Sequence, residues 1–213
     1  MKPWLFTVPL ALWGAYMGAQ PPAPVAQVHT SGTGFSYSIP SDWEVVDAYS
    51  SLPDLQQQTA NDAKSEDEKK GMACTKVELT ARHGDPSSVI VVVALPYDCF
   101  GQVFSDKDLP GFGTGAAEGV KQSLDVSEPV YGSYSLGTHS MWIERAQGSP
   151  KARPDLHYTV EVACSLLKKA AVCWMALAAD EASLRIFERA AVSLDGETGT
   201  PLVPANAFDK KPS

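Results

Sequence analysis

The stretch YTVEVACSLLKKAAVCWMALA, Tyr158 to Ala178, decides the fold. It reads as two strands that turn at Lys168 and Lys169. Folding that hairpin symmetrically sets 166 against 171 and 165 against 172, so Cys164 faces Cys173. Directly opposed residues of an antiparallel pair hold their Cβ atoms about 4.5–5.5 Å apart, near disulfide range. A second hairpin turns at His83 to Pro86, between CTKVELTAR and SSVIVVVAL. Pairing 82 with 87 brings 74 opposite 95, and leaves Cys99 just past its strand, within reach of Cys74. The chain has four cysteines, which permit three pairings; local geometry selects Cys164–Cys173 with Cys74–Cys99. The alternative, a thiol redox or zinc site, lacks the C-x-x-C or other short paired spacing that such sites use.

Disulfides belong to an oxidising compartment, and the N-terminus agrees. Residues 1–19 read as a signal peptide: Lys2 is a minimal positive region, Trp4 to Ala15 an apolar core, and Gly18-Ala19 a small-residue cleavage site. The apolar run is too short for a membrane span, which takes about 20 residues; after cleavage no stable membrane span is expected. An uncleaved anchor is the alternative, since Met17 is large for its place before the cut. Residues 20–33 form a Pro/Ala-rich linker, 34–194 a single domain and 195–213 an extended tail. Localisation is therefore read as exported, periplasmic or secreted.

The rest of the domain alternates between strand and helix signals. Phe35, Tyr37 and Ile39 have period-two spacing, Pro40 to Asp42 make a turn, and Trp43 begins a short strand. Ser50 to Gly71 is strongly polar, with mixed charge, and reads as a solvated helix or loop. Val89 to Val93 is a continuous β-branched run, expected to be central and covered on both faces. VYGSYSLG and HSMWIERAQG form a hairpin around Gly137, with Met141, Ile143 and Arg145 on one face and Trp142 and Glu144 on the other. Asp180 caps a helix carrying Leu184, Phe187, Ala191 and Leu194 on one side, stopped by Gly196. Leu202, Val203 and Phe208 of the tail are expected to dock on the domain edge. Hairpin connections dominate, so the fold class is α+β: a mainly antiparallel sheet with helices packed on it.

The opening unit FSYSIPSDWEVVD resembles the start of the PsbP/DcrB-type domain, as does the closing strand pair followed by a helix with F…AAVSL. The resemblance covers about Gly34 to Leu194. It implies an α/β/α sandwich on an antiparallel sheet, in exported or lumenal proteins that act mostly as accessory or binding factors. That family shares no catalytic constellation, so no functional residue carries over. The four cysteines and the acidic segment Asn61 to Lys70 lie outside its general pattern and suggest a lineage-specific branch.

Composition narrows the partners. The 213 residues are 44% hydrophobic and 20% charged, with a net charge of -8. An acidic surface repels phosphate backbones, so nucleic acid is not an expected partner. The stretch LPGFGTGAAEG, Leu109 to Gly119, fits the dinucleotide pattern G-x-G-x-x-G/A at Gly111, Gly113 and Ala116. That pattern must follow a strand within a βαβ unit, whereas here a charged loop, FSDKDLP, precedes it. The glycines are read instead as a flexible lead-in to a helix beginning at Ala116, with Ala116, Val120 and Leu124 as its stripe and Gly119 as the close approach to the sheet.

Catalytic signals are sparse. No G-x-S-x-G elbow is present, and His29, His83, His139 and His157 show no metal-ligand spacing. Glu144 and Glu161 fall in adjacent strands and offer a carboxylate pair, although strand alternation also places ordinary surface acids there. Of the aromatics Trp43, Tyr131, Tyr134, Trp142 and Trp174, the last two are the candidates for a ligand cleft, together with Glu144 and Glu161; otherwise they are core. The favoured function is a non-catalytic exported accessory domain, with no cofactor and no metal, that binds an envelope protein or a small ligand. A hydrolase using Glu144, Glu161 or His157 is the alternative, and a nucleotide-binding enzyme using the glycine stretch the weaker one.

Overall fold

The computed structural model describes residues 26–46, 73–101, 103–121, 123–199 and 201–210. In chain order the elements are β1 (Ala26–Thr30), β2 (Phe35–Pro40), β3 (Glu44–Val45), β4 (Lys76–His83), β5 (Ser88–Pro96), the one-turn helix α1 (Tyr97–Phe100), α2 (Leu109–Lys121), β6 (Leu124–Val126), β7 (Val130–Leu136), β8 (His139–Pro150), β9 (Tyr158–Leu166), β10 (Ala170–Ala178), α3 (Glu181–Glu188), β11 (Val192–Leu194) and β12 (Glu197–Gly199). An eight-stranded sheet runs β3-β4-β5-β10-β9-β8-β6, with β7 also paired to β8; a four-stranded sheet runs β1-β2-β11-β12. The strand pairings are antiparallel. The molecule is thus mainly antiparallel sheet with a few helices.

The register of β9 on β10 sets Leu166 against Ala171 and Cys164 against Cys173, as the symmetric hairpin requires. At the other hairpin Arg82 pairs with Val89, two places from the expected partner, because the turn takes four residues, Gly84 to Ser87. A bulge between Val77 and Leu79 then resets the register of β4.

Alternation along the strands separates two apolar layers. Ile90, Val92, Ala94, Val172, Trp174, Ala176, Met141, Ile143 and Ala163 face the four-stranded sheet and α3, where they meet Phe35, Tyr37, Ile39, Val192, Leu194 and Phe187. Phe35 meets the Trp174 ring edge-on at 5.6 Å. The opposite face carries Trp142, Val162, Cys164 and Cys173 against Leu109 and Ala117 of α2. β5 is central, but its second face, Val89, Val91 and Val93, is only half-buried, since α2 lies over β8, β9 and β10 instead.

Five sequence expectations are corrected. Residues 26–30, placed in the linker, form β1 on the edge of the small sheet, where five consecutive residues pair with β2. The glycine stretch is not a lead-in loop: α2 starts at Leu109, with Pro110 in its first turn, where proline costs no hydrogen bond. Its buried stripe is Leu109, Gly113 and Ala117 rather than Ala116, Val120 and Leu124. Gly119 meets nothing; it is Gly113 whose Cβ would lie 2.1 Å from the Trp142 ring, so the helix sits where the missing side chain lets Trp142 in. Finally, α3 ends at Glu188, and Val192 to Leu194 leave it as a strand on β2, with both ends buried.

The domain also runs past Leu194. Asp195 and Gly196 take positive φ (51° and 88°) in the tight turn to β12. Leu202, Val203 and Ala207 then fill the main core, and Ala207 rests on Gly132, where a Cβ would lie 2.2 Å from the Ala207 carbonyl oxygen. Readings made on the signal segment, on residues 20–25 and on residues 50–71 lie outside the described residues.

Candidate functional site

Cys164 joins Cys173 across the β9–β10 pair, with Cα atoms 4.2 Å apart, and Cys74 joins Cys99, 5.9 Å apart. The first is buried beneath α2. The second ties the start of β4 to α1 at the end of the sheet, and Cys99 is exposed there.

The four residues proposed as one cleft do not meet. Glu144 is opposite Val162, so Glu161 is one step off that pair and the pleat turns the two carboxylates to opposite faces. Glu144 lies under α2, where Lys121 Nζ reaches its Oε1 at 2.5 Å. Burial works to lower the Lys121 pKa, but the Glu144 hydrogen bond and charge outweigh it and hold the ammonium above its usual range. Trp142 is on this same face. Trp174 is fully buried on the other side, in the main core. Trp142 lines a hollow of about 300 Å³, beside Asp106, Leu109, Ser140 and Lys210, with Ser140 Oγ donating to Asp106 at 2.6 Å.

Glu161 forms a separate buried centre. Arg145 Nε donates to it while Arg145 Nη2 donates to Glu188, and the Phe208 ring lies 4.6 Å from the guanidinium. Burial pushes the Glu161 carboxyl up to about 7, against the opposing pull of Arg145. The same burial, with Glu161 nearby, drives the Tyr37 and Tyr134 hydroxyls far above their ordinary range. Tyr134 still donates to the Leu202 carbonyl at 2.6 Å. Glu161 itself is fully buried, while Arg145 and Glu188 keep part of their side chains exposed, with Phe208 of the tail over the guanidinium.

The histidines are dispersed. His83 stacks on Trp43 at 5.6 Å, His157 contacts Ser149 Oγ at 2.9 Å, His139 lies 3.7 Å from Asp195 and His29 3.9 Å from Glu78. Among the described residues no three metal-ligating side chains cluster, and no helix is long and apolar enough to cross a membrane.

An open feature of another kind is at one end of the big sheet. A groove of about 560 Å³ lies between the β1–β2 turn (Gly32, Thr33), the start of β4 (Lys76, Glu78), α1 with its approach (Pro96, Tyr97, Asp98), Val103 and the β9–β10 turn (Lys168, Lys169). A smaller hollow shares Lys76, Pro96 and Asp98 and reaches Cys74–Cys99. The turn is held firmly: Leu167 N donates to Ala170 O at 2.8 Å, Lys168 N to Asp195 Oδ2 at 2.9 Å, and Tyr97 N to Lys169 O at 2.9 Å. Burial, and then the nearby Asp195 charge, pushes the Tyr97 hydroxyl up to about 12. Sequence reasoning saw Lys168 and Lys169 only as a turn. Their neighbours in the groove come from four other segments, and no local pattern links them.

No protein-family model matches the sequence, and no curated protein matches it. Among solved structures, the chain is similar to cyanobacterial PsbP (CyanoP) from Synechocystis sp. PCC 6803, at 10% identity and a TM-score of 0.44, over 80% of this chain and 91% of that one.

Proposed function

We propose that the chain is a non-catalytic exported binding domain of the cell envelope, and that its ligand occupies the groove between the β1–β2 and β9–β10 turns. The observation that carries this reading is the groove itself: its volume falls within the range of small-ligand sites, and five segments converge on it. Export is supported by the two disulfides. The layering, with α2 on one face of the large sheet and α3 with the small sheet on the other, supports the α/β/α arrangement of PsbP/DcrB-type domains. Hydrolysis by strand carboxylates loses its basis, because the sheet separates Glu144 from Glu161. A pyrophosphate cradle loses its basis too, because Gly113 is filled by Trp142 and a 3-10 turn rather than a strand precedes α2.

Gly32→Trp tests the reading. A side chain at Gly32 meets nothing within 4 Å and its φ is not in the left-handed region, so the indole enters the groove without disturbing the fold. Purified protein is exposed to envelope extract, washed, and denatured, and released small molecules are identified by mass spectrometry. A compound retained by the wild type and lost from Gly32→Trp is the expected outcome. Identical retention by both proteins, or none by either, refutes it.

A further inference from the structure

We infer that the groove takes a small multivalent anion, a compound carrying two or three carboxylate or phosphate groups; this rests on the binding reading above. The lining holds three ammonium groups, Lys76, Lys168 and Lys169, against two carboxylates, Glu78 and Asp98. None of the three lysines forms an ion pair among the described residues. Glu78 is already engaged: it accepts from Ser31 Oγ at 2.9 Å and lies 3.9 Å from His29 Nε2. Asp195 and Glu197 stand behind the turn that carries Lys168, and each already accepts hydrogen bonds, from Lys168 N and from Thr138; the three ammonium groups are what the lining leaves open, so an anion is selected by contact with the lysines rather than by a net positive field.

Placement strengthens the assignment. Lys168 and Lys169 occupy the centre of a hairpin turn, where Asn-Gly or Asp-Gly is the usual choice. Their backbones are anchored on both sides by Asp195 and Tyr97, so two adjacent charges are presented from a rigid support, across the groove from the first residue of β4. Glu197, held by Thr138 at 2.8 Å, is the further acid whose field Lys168 feels. Lysine presents a flexible, strongly hydrated point charge rather than a fixed fork. The site accordingly selects for charge and spacing of acidic groups rather than for one planar acid.

The test follows backbone amide shifts of the mature chain on titration with citrate, with pyrophosphate, and with uncharged trimethyl citrate. Citrate or pyrophosphate should move the Gly32, Thr33, Lys168 and Lys169 amides saturably, with affinity at least tenfold lower in the K168Q/K169Q double variant and in Lys76→Gln, whose thermal midpoints are checked first. Carboxylate and phosphate arms separate the two acid types. An equal response to trimethyl citrate overturns the anion assignment and leaves the groove reading intact. Absence of any groove shift with the anions also overturns it; the groove reading then falls only if Gly32→Trp retains what the wild type retains.

Discussion

Glu161→Gln probes the buried centre of the fold. The Glu161 side chain has no exposed surface, and burial raises its carboxyl from the ordinary 4.5 to about 7 even though Arg145 opposes the change. That rise of about 2.5 pH units, at about 1.4 kcal/mol per unit, makes the ionised form cost about 3 kcal/mol of stability. The folded state holds the proton more tightly than the unfolded one. Between pH 4.5 and 7 it therefore binds more protons, and stability falls as pH rises through that window. Below the window both states are protonated and the penalty vanishes; above it the penalty is complete. Glutamine does not ionise, and its amide oxygen still accepts from Arg145. Urea unfolding at about pH 4.5, 6 and 8 should show the variant gaining on the wild type by roughly 3 kcal/mol from the lowest pH to the highest. A difference that is flat across the range, or that shrinks as pH rises, refutes the reasoning.

Other measurements reach different parts of the structure. Gly113→Ala should destabilise by about 1–3 kcal/mol because its Cβ overlaps Trp142, whereas Gly119→Ala, in open space, should stabilise by about 0.5–1 kcal/mol; thermal or urea unfolding of the pair reads both signs. Lys121→Ala leaves the buried Glu144 without its partner and should cost about 3 kcal/mol, most of it recovered when Glu144→Leu is added, as a double-mutant cycle would show. Under native conditions a mild reductant should open Cys74–Cys99, which has an exposed cysteine, well before the buried Cys164–Cys173; timed alkylation with peptide mass mapping checks the order, and simultaneous reduction contradicts it.

The strands were legible because period-two spacing survives in the sequence. Phe35, Tyr37 and Ile39 alternate into the core as written, and Met141, Ile143 and Arg145 take the face opposite Trp142 and Glu144. The helices were less legible. Four glycines in thirteen residues argue against α2 by propensity, and tertiary contact overrides that argument: Gly113 is helical because Trp142 needs its space. AAVSL carries both periods in five residues, so only the vacant edge of β2 shows that Val192 to Leu194 extend rather than coil.

The candidate site divides the same way. By itself the sequence determined the hairpin at Lys168 and Lys169, the opposition of Cys164 and Cys173, the α+β class and the acidic balance of the chain, because each depends on residues near one another or on summed composition. Only the tertiary structure decided which carboxylates meet. Adjacent strands admit Glu144 and Glu161 as a pair, but a register offset of one residue sends them to opposite faces, one to Lys121 and one to Arg145. The groove was beyond the sequence for a related reason. Lys76, Tyr97 and Lys168 share no spacing, and they become neighbours only because β4, β5 and the β9–β10 turn finish at the same end of the large sheet, beside the β1–β2 turn of the small one.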